Sequence, residues 1–526
     1  MRRSILAAVA ALAGGDAPAQ CGIVDRVRDV AVRSGPAVAP RVDLFPRVAP
    51  PDPVPAAAPG VPQLAPAARL PGDEPLPINL PAALRLADAR PLVVQAAEAS
   101  LAAEAGRLQQ ARALWLPTVA AGVSYTRHDG DQQIVRDGKL TNNSRNELLV
   151  GAGPRLSLVP ADAVYAPLVA RRLVAARTVA VQAAKNDALA DTAEAYFRVQ
   201  EARGRLAGLR DATDKGTALV ARIDKLGRGL AAPIEADRAR AQLAELDVQL
   251  AAARRDWRQA SATLTRVLRL NPLAVVEPVE PPDFRVTLID PRTPVGELLP
   301  VALTHRPELA NRQALVQAAL ARVRQEQVRP LVPTVVVQGS AVPGNTLAAG
   351  VYSTGVNDRL ATVGGRSDLN FQLVWQLENL GFGNRGRVAE RRGEQQAALV
   401  ELLRTQDGIA AEVAQAHADV EAAAAQVPWA AAGLATASAT FAANLRGIAE
   451  TVRAGERLQL VVRPQEAVVA LDALSRAYAN YYAAVNGYNR AQFRLYRACG
   501  YAPSGANPPT VVGGLSGPAA ADIASK

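Results

Sequence analysis

Two pairs of proline landmarks recur at fixed spacing, and they constrain the fold of this chain more than any other feature. Arg90-Pro91 is followed, 26 residues after the proline, by Pro117-Thr118-Val119, and Arg306-Pro307 is followed at the same distance by Pro333-Thr334-Val335. Pro233-Ile234-Glu235 precedes Pro272 by 39 residues, and Pro464-Gln465-Glu466 precedes Pro503 by 39. Proline at the first helical position leaves no N–H unsatisfied, and an acidic residue close behind it complements the helix dipole. The chain therefore reads as one structural unit written twice, over 78–280 and 281–505.

Inside each unit the dominant period is helical. Leu243, Leu246, Leu250, Ala253, Trp257, Ala260 and Leu264 step by three and four, and Leu474, Ala477, Tyr481, Ala484, Tyr488, Ala491 and Leu495 repeat the pattern. That seam belongs to helices packed nearly parallel. Aromatic residues are only 4% of the chain and much of its 49% hydrophobic content is alanine, which favours long, closely packed helices over a sandwich. A longer helix precedes each seam. One is expected from 161 to about 226, a rod of roughly 100 Å. The other runs from about 385 to 453 and contains Pro428, which should kink it or break a hydrogen bond. Gly227 and Gly229 in one unit and Gly455 in the other mark the turns at the tips of two helical hairpins.

Between the first helix and the long helix of each unit the period switches to two. Val119, Ala121, Val123 and Tyr125 alternate with small or polar residues, as do Leu148, Val150, Ala152, Leu156 and Leu158, although Leu149 breaks the polar set. Val335, Val337 and Ala341, then Leu369, Phe371, Leu373, Trp375 and Leu377, repeat this in the second unit. Four strands of about nine to eleven residues, apolar on one face, suit a transmembrane barrel. The stretches 127–146 and 342–367 read as water-facing loops. Trp115 and Trp375 fall at the helix end of these strands, where an aromatic girdle meets the lipid boundary. Four strands cannot close a barrel, and open edges are not tolerated in lipid, so spanning a membrane would require sister subunits.

The N-terminus reads as an export signal over 1–19: Arg2 and Arg3, an apolar run from Ile5 to Ala13, then Ala17-Pro18-Ala19. No stretch reaches the 18 apolar residues of a membrane-spanning helix. Residues 20–77 form a Pro/Ala-rich linker and 506–526 a disordered tail. Cys21, just past the signal, is a candidate lipid anchor, although Gln20 departs from the usual small residue before such a cysteine. Net charge is +10, but the arginines are interleaved with Asp and Glu and no aromatic platform accompanies them, which argues against nucleic acid. His128, His305 and His417 lie far apart in the sequence, without metal-ligand spacing, and no nucleophile elbow or phosphate loop appears. Gly381-Phe382-Gly383 reads as the turn from strand into helix. Neither an enzyme nor a cofactor is expected.

The order helix, strand, strand, long helix, returning helix, present twice over about 78–505, resembles the TolC-type outer-membrane efflux proteins. Leu80, Ala83, Leu84, Ala87 and Pro91 resemble the family's first-helix pattern, and Leu298, Ala302, Leu303, Arg306, Pro307 and Leu309 its second. Tyr488-Asn489-Arg490-Ala491-Gln492-Phe493, ending at Gly500, is similar to its last helix. The resemblance implies a mainly α protein with transmembrane β: a homotrimer whose long helical hairpins form an α-barrel in the periplasm, joined to a β-barrel in outer-membrane lipid to which each subunit gives four strands. It implies a passive exit duct of a tripartite efflux or type I secretion system, with a periplasmic adaptor and an inner-membrane pump as partners. For the gate at the hairpin tips Glu456 and Arg457 are candidates, Arg457 resembling the family's gate arginine, while Val461 and Pro464 stand where the family's aspartates are usual; Asp224, Lys225 and Arg228 at the other tip are the remaining candidates. The alternative is a soluble periplasmic coiled-coil adaptor of an export complex.

Overall fold

The computed structural model describes residues 62, 64, 74–89, 92–133, 138–226, 232–338, 349–356, 362–367, 369–454 and 457–501. All lie in one compact unit, Asp52–Lys526. The signal, Cys21 and the tail lie outside the described residues.

Each repeat contains a short helix, a mid-length helix and two long ones. In the first these are α1 (Leu80–Ala89), α2 (Leu92–Ala113), α3 (Pro160–Asp224) and α4 (Pro233–Leu268); in the second, α5 (Val295–His305), α6 (Pro307–Val328), α7 (Phe382–Gly447) and α8 (Pro464–Ala498). Helices α3, α4, α6 and α8 each begin with proline in the first turn, backed by Asp162, Glu235, Glu308 or Glu466. Of the duplicated prolines, Pro233, Pro307 and Pro464 are helix starts, Pro117 and Pro333 stand just before strands, and Pro91 and Pro503 lie outside the described residues. Helix α7 continues through Pro428 without interruption. It also ends before 453: Ile448 closes it, and the tip continues as a hairpin of β9 (Thr451–Ala454) and β10 (Arg457–Leu460). The glycines expected at the turns lie outside the described residues.

The motif residues quoted above pack the core. Leu80, Ala83, Leu84 and Ala87 of α1 and Leu298 and Ala302 of α5 are buried, with Tyr196, Phe197 and Phe493 between them. Helix α3 packs against α4 on one side and α8 on another, and α8 against α7. Close approach of α3 to α8 depends on missing side chains: Gly204 faces the ring of Tyr482 and Gly208 that of Tyr478.

One part of the presumed linker is structured. Strand β1 (Glu74–Ile78) pairs in parallel with β4 (Ala274–Pro278), the segment that follows α4. Pro75 and Pro77 are compatible with a two-stranded sheet, because one side of an edge strand needs no donor.

The second sheet is antiparallel. It contains β2 (Thr118–Gln133), β3 (Leu140–Leu158), β5 (Thr334–Gln338), β6 (Ala349–Val356), β7 (Thr362–Ser367) and β8 (Asn370–Val374). Successive parts of β3 pair with β5 and with β6, while β8 pairs β5 and β7 pairs β6. Strands β5 and β6 are thus two pieces of one rail, as are β8 and β7. The result is the expected four-rail sheet, with β2 at one edge and β7/β8 at the other. The hairpins extend further than expected. Strands β2 and β3 stay paired from Thr118↔Arg155 to Gln133↔Leu140, so much of 127–146 is strand, and His128 sits opposite Arg145. Strands β6 and β7 likewise occupy much of 342–367.

Candidate functional site

Register decides what the sheet can do. Val119 pairs Pro154, Ala121 pairs Ala152, Val123 pairs Val150 and Tyr125 pairs Leu148. Leu156 pairs Val337 and Leu158 pairs Val335, which in turn pair Phe371 and Leu373. Directly paired residues share a face, so the alternating apolar sets of all four rails lie together. Among the described residues that face has no cover: Val119 is 74% exposed, Val123 69% and Phe371 61%. The opposite face carries Thr118, Gly122, Ser124, Thr126, Glu147, Gly151 and Arg155 at the alternate positions.

At the helix end of the sheet lies a band of large exposed apolar residues, among them Leu116, Leu331, Leu377 and Phe382. Trp115 and Trp375 are both in it. The Trp115 indole N–H donates to the Ala163 carbonyl at 3.1 Å, tying the start of β2 to the first turn of α3. Beneath the band, Arg329 bridges Asp162 of α3 and Glu326 of α6, and Arg387 of α7 reaches Glu378.

Midway along the helices a belt of irregular chain, 279–294, wraps the bundle and is held by amides. Asn489 accepts from Val286 N at 2.9 Å and donates to Phe284 O at 2.7 Å. Gln492 accepts from the N–H groups of Leu288 and Ile289, both at 3.0 Å, and donates back to Ile289 O. On α4, Trp257 donates to Val276 O and Ser261 accepts from Val276 N. Arg306, only 4% exposed, pairs with Glu412 of α7, which also takes Arg497 of α8 at 2.5 Å. Gly500, at φ +87°, packs on the His305 and Arg306 backbone, where a Cβ would fall 2.8 Å from His305 C. The family-like residues Arg306, Asn489, Gln492 and Gly500 therefore tie the belt and the α5–α6 junction to α7 and α8 within the second repeat.

Residues 83–268 match the outer membrane efflux protein family. The resemblance to TolC-type proteins holds. No curated protein sequence matches the chain significantly. Among solved structures, the Campylobacter jejuni CmeC outer membrane channel superposes with a TM-score of 0.65 at 15% identity, over 80% of this chain and 85% of that one. The outer membrane protein VceC of Vibrio cholerae gives 0.61 at 16%, over 80% and 96%. The open state of the Neisseria gonorrhoeae MtrE outer membrane channel gives 0.61 at 16%, over 84% and 97%. At such identities the shared property is the fold: long helical hairpins continuing into a β-sheet.

Within this efflux-protein fold the expected gate residues separate. Asp224, at the end of α3, accepts from Arg240 of α4 at 2.7 Å, and Arg240 also holds Asp237 at 2.9 Å. The Asp224 hydrogen bond, followed by its charge, raises the Arg240 pKa. Arg240 is a tip residue that sequence reasoning missed, because nothing local links positions 16 residues apart. Arg457 begins β10 opposite Ala454. Arg228 and Glu456 lie outside the described residues. Among the described residues no group of three or more His, Cys, Asp or Glu is placed to hold a metal, and no helix is long and apolar enough to cross a membrane.

Proposed function

We propose that the chain is one subunit of an outer-membrane channel, a passive exit duct for a tripartite efflux or secretion system. The observation that carries this reading is the four-rail sheet, with its apolar face exposed and, among the described residues, both edges unpaired. An apolar face of this kind finds cover in lipid, and edge N–H and C=O groups left open there would each cost several kcal/mol. Both problems vanish if the β2 edge of one copy pairs with the β7/β8 edge of the next. Three copies close a barrel of twelve rails, the polar face lines the pore, and the helices continue as a periplasmic tunnel. Trp115 and Trp375 anchor the boundary, and Cys21 is available for a lipid. A soluble adaptor would have no use for such a sheet.

The partners in this reading are two further copies, a periplasmic adaptor docking at the hairpin tips and an inner-membrane pump. Asp224, Arg228, Glu456 and Arg457 form the gate, which opens by population shift when the adaptor prefers splayed tips. Reconstitution of the purified oligomer in planar bilayers tests the duct. Discrete conductance steps are expected, and an oligomer that inserts without conducting would contradict it.

A further inference from the structure

The register that gathers the apolar residues on one face of the sheet also sorts its charges. Arg155, exposed, pairs Thr118 on one side and Gln338 on the other, on the polar face. Arg145 pairs His128 and Glu147 pairs Thr126, all on that same face. Arg366 takes a polar-face position through Gly350, which pairs Gly151 of β3. Among the paired positions of the described strands, the polar face holds three arginines and one glutamate.

The other face has the reverse balance. Past Tyr125 it carries Arg127, Asp129 and Asp131, opposite Asn146, Ser144 and Asn142. Arg127 is matched there by Asp129 at 2.7 Å. Arg155 is placed differently. The one acid of its strand is Glu147, eight residues away, which is about 26 Å along a β-strand. Glu147 lies two residues from Arg145 on the same face and offsets that arginine instead. The basic surplus therefore rests on Arg155 and Arg366, at levels about four residues, or ~13 Å, apart along the rails.

We infer that the barrel segment of the duct is charge-selective, its basic lumen favouring anionic solutes over cations. The inference rests on the channel reading, which puts the polar face around the pore, and it adds Arg155 and Arg366 as the residues that set the preference. Closure in threes repeats each arginine around the axis, and rings of arginine favour anions in a pore. Lumen-facing residues of a membrane barrel tune selectivity, whereas charges on its outer face act on stability. A twelve-rail pore selects by its field and not by fit. Salt screens that field, with a Debye length of about 30 Å at 0.01 M and about 3 Å at 1 M.

Reversal potentials of the full-length trimer in planar bilayers, measured across KCl gradients, test this. Near 0.01 M chloride should permeate at least about twice as readily as potassium, and the preference should fade towards 1 M. Arg155→Gln with Arg366→Gln should bring the permeability ratio close to one. Glu147→Gln should raise it, and Arg127→Gln, on the other face, should leave it unchanged. If the double variant fails to assemble, Arg155→Gln alone and Glu147→Gln must still move the ratio in opposite directions. A wild-type channel without preference, or one that prefers potassium, would overturn the inference. A chloride preference that every variant keeps would also overturn it, placing the selectivity in the helical tunnel. A trimer that never conducts would overturn the duct reading itself, a separate result from conduction without preference.

Discussion

Gly208 of α3 lies against Tyr478 of α8 so closely that a Cβ on the glycine would fall 2.6 Å from the Cβ and Cγ of the tyrosine. Tyr478 is fully buried and its hydroxyl donates to Asp211 at 2.7 Å, so it cannot swing aside cheaply. Gly208→Ala should destabilise the protein by about 1–3 kcal/mol, the usual range for overpacking. Gly487→Ala is the control, because a Cβ there meets nothing within 4 Å. It should be neutral or stabilise by up to about 1 kcal/mol through helix propensity. Dissociation temperatures of the detergent-solubilised oligomer measure both.

Gln492 is fully buried and satisfies two backbone N–H groups and one carbonyl of the belt. Gln492→Ala would orphan them, at about 1–3 kcal/mol for each group that water cannot reach. Limited proteolysis should then cut within 279–294 at protease levels that spare the wild type. Equal resistance would show that the belt is held elsewhere.

Burial pushes the Glu194 carboxyl up, but hydrogen bonds from Arg494 and Arg198 outweigh it and hold the group below the ordinary glutamate range. A depressed folded pKa stabilises fully above the unfolded value of about 4.3, and that contribution is lost as pH falls through the folded value. Arg494→Gln should therefore melt below the wild type at pH 7, with the gap shrinking below about pH 4. Arg494 is half exposed, so the gap should stay under about 1 kcal/mol. A gap independent of pH would assign it to packing.

If the Asp224–Arg240 pair holds the first hairpin tip closed, Asp224→Asn and Arg240→Gln should each raise single-channel conductance. The double variant should add little beyond either, because both remove one interaction. Neutralising Arg457 together with Asp224 should open the tip further. Unchanged conductance in every variant would remove these residues from the gate.

Much of this architecture is legible in the sequence wherever a period or a proline encodes it. The apolar sets beginning at Val119, Leu148, Val335 and Phe371 alternate on their own strands, and the register then brings them to one face. Pro233 and Pro464 stand at helix starts because their rings fix the first turn. What escapes reading is pairing without a period. Strand β1 hides in a proline-rich run because its stability comes from β4, about 200 residues away. The tip hairpin Thr451–Leu460 is too short to show alternation, so only its glycine stands out. Asn489 and Gln492 are recognisable as a motif, but their partners at 284–289 carry no local signal. Arg240 looks like any solvated arginine until the hairpin folds it onto Asp224.

The account depends on exposed sheet faces and edges that lipid and neighbouring copies satisfy. The most direct measurement is the size and location of the mature protein: membrane fractionation, followed by electrophoresis of unheated and heated detergent extracts. An outer-membrane band at three times the subunit mass that collapses on heating is the predicted result. A water-soluble monomer released by osmotic shock would contradict it.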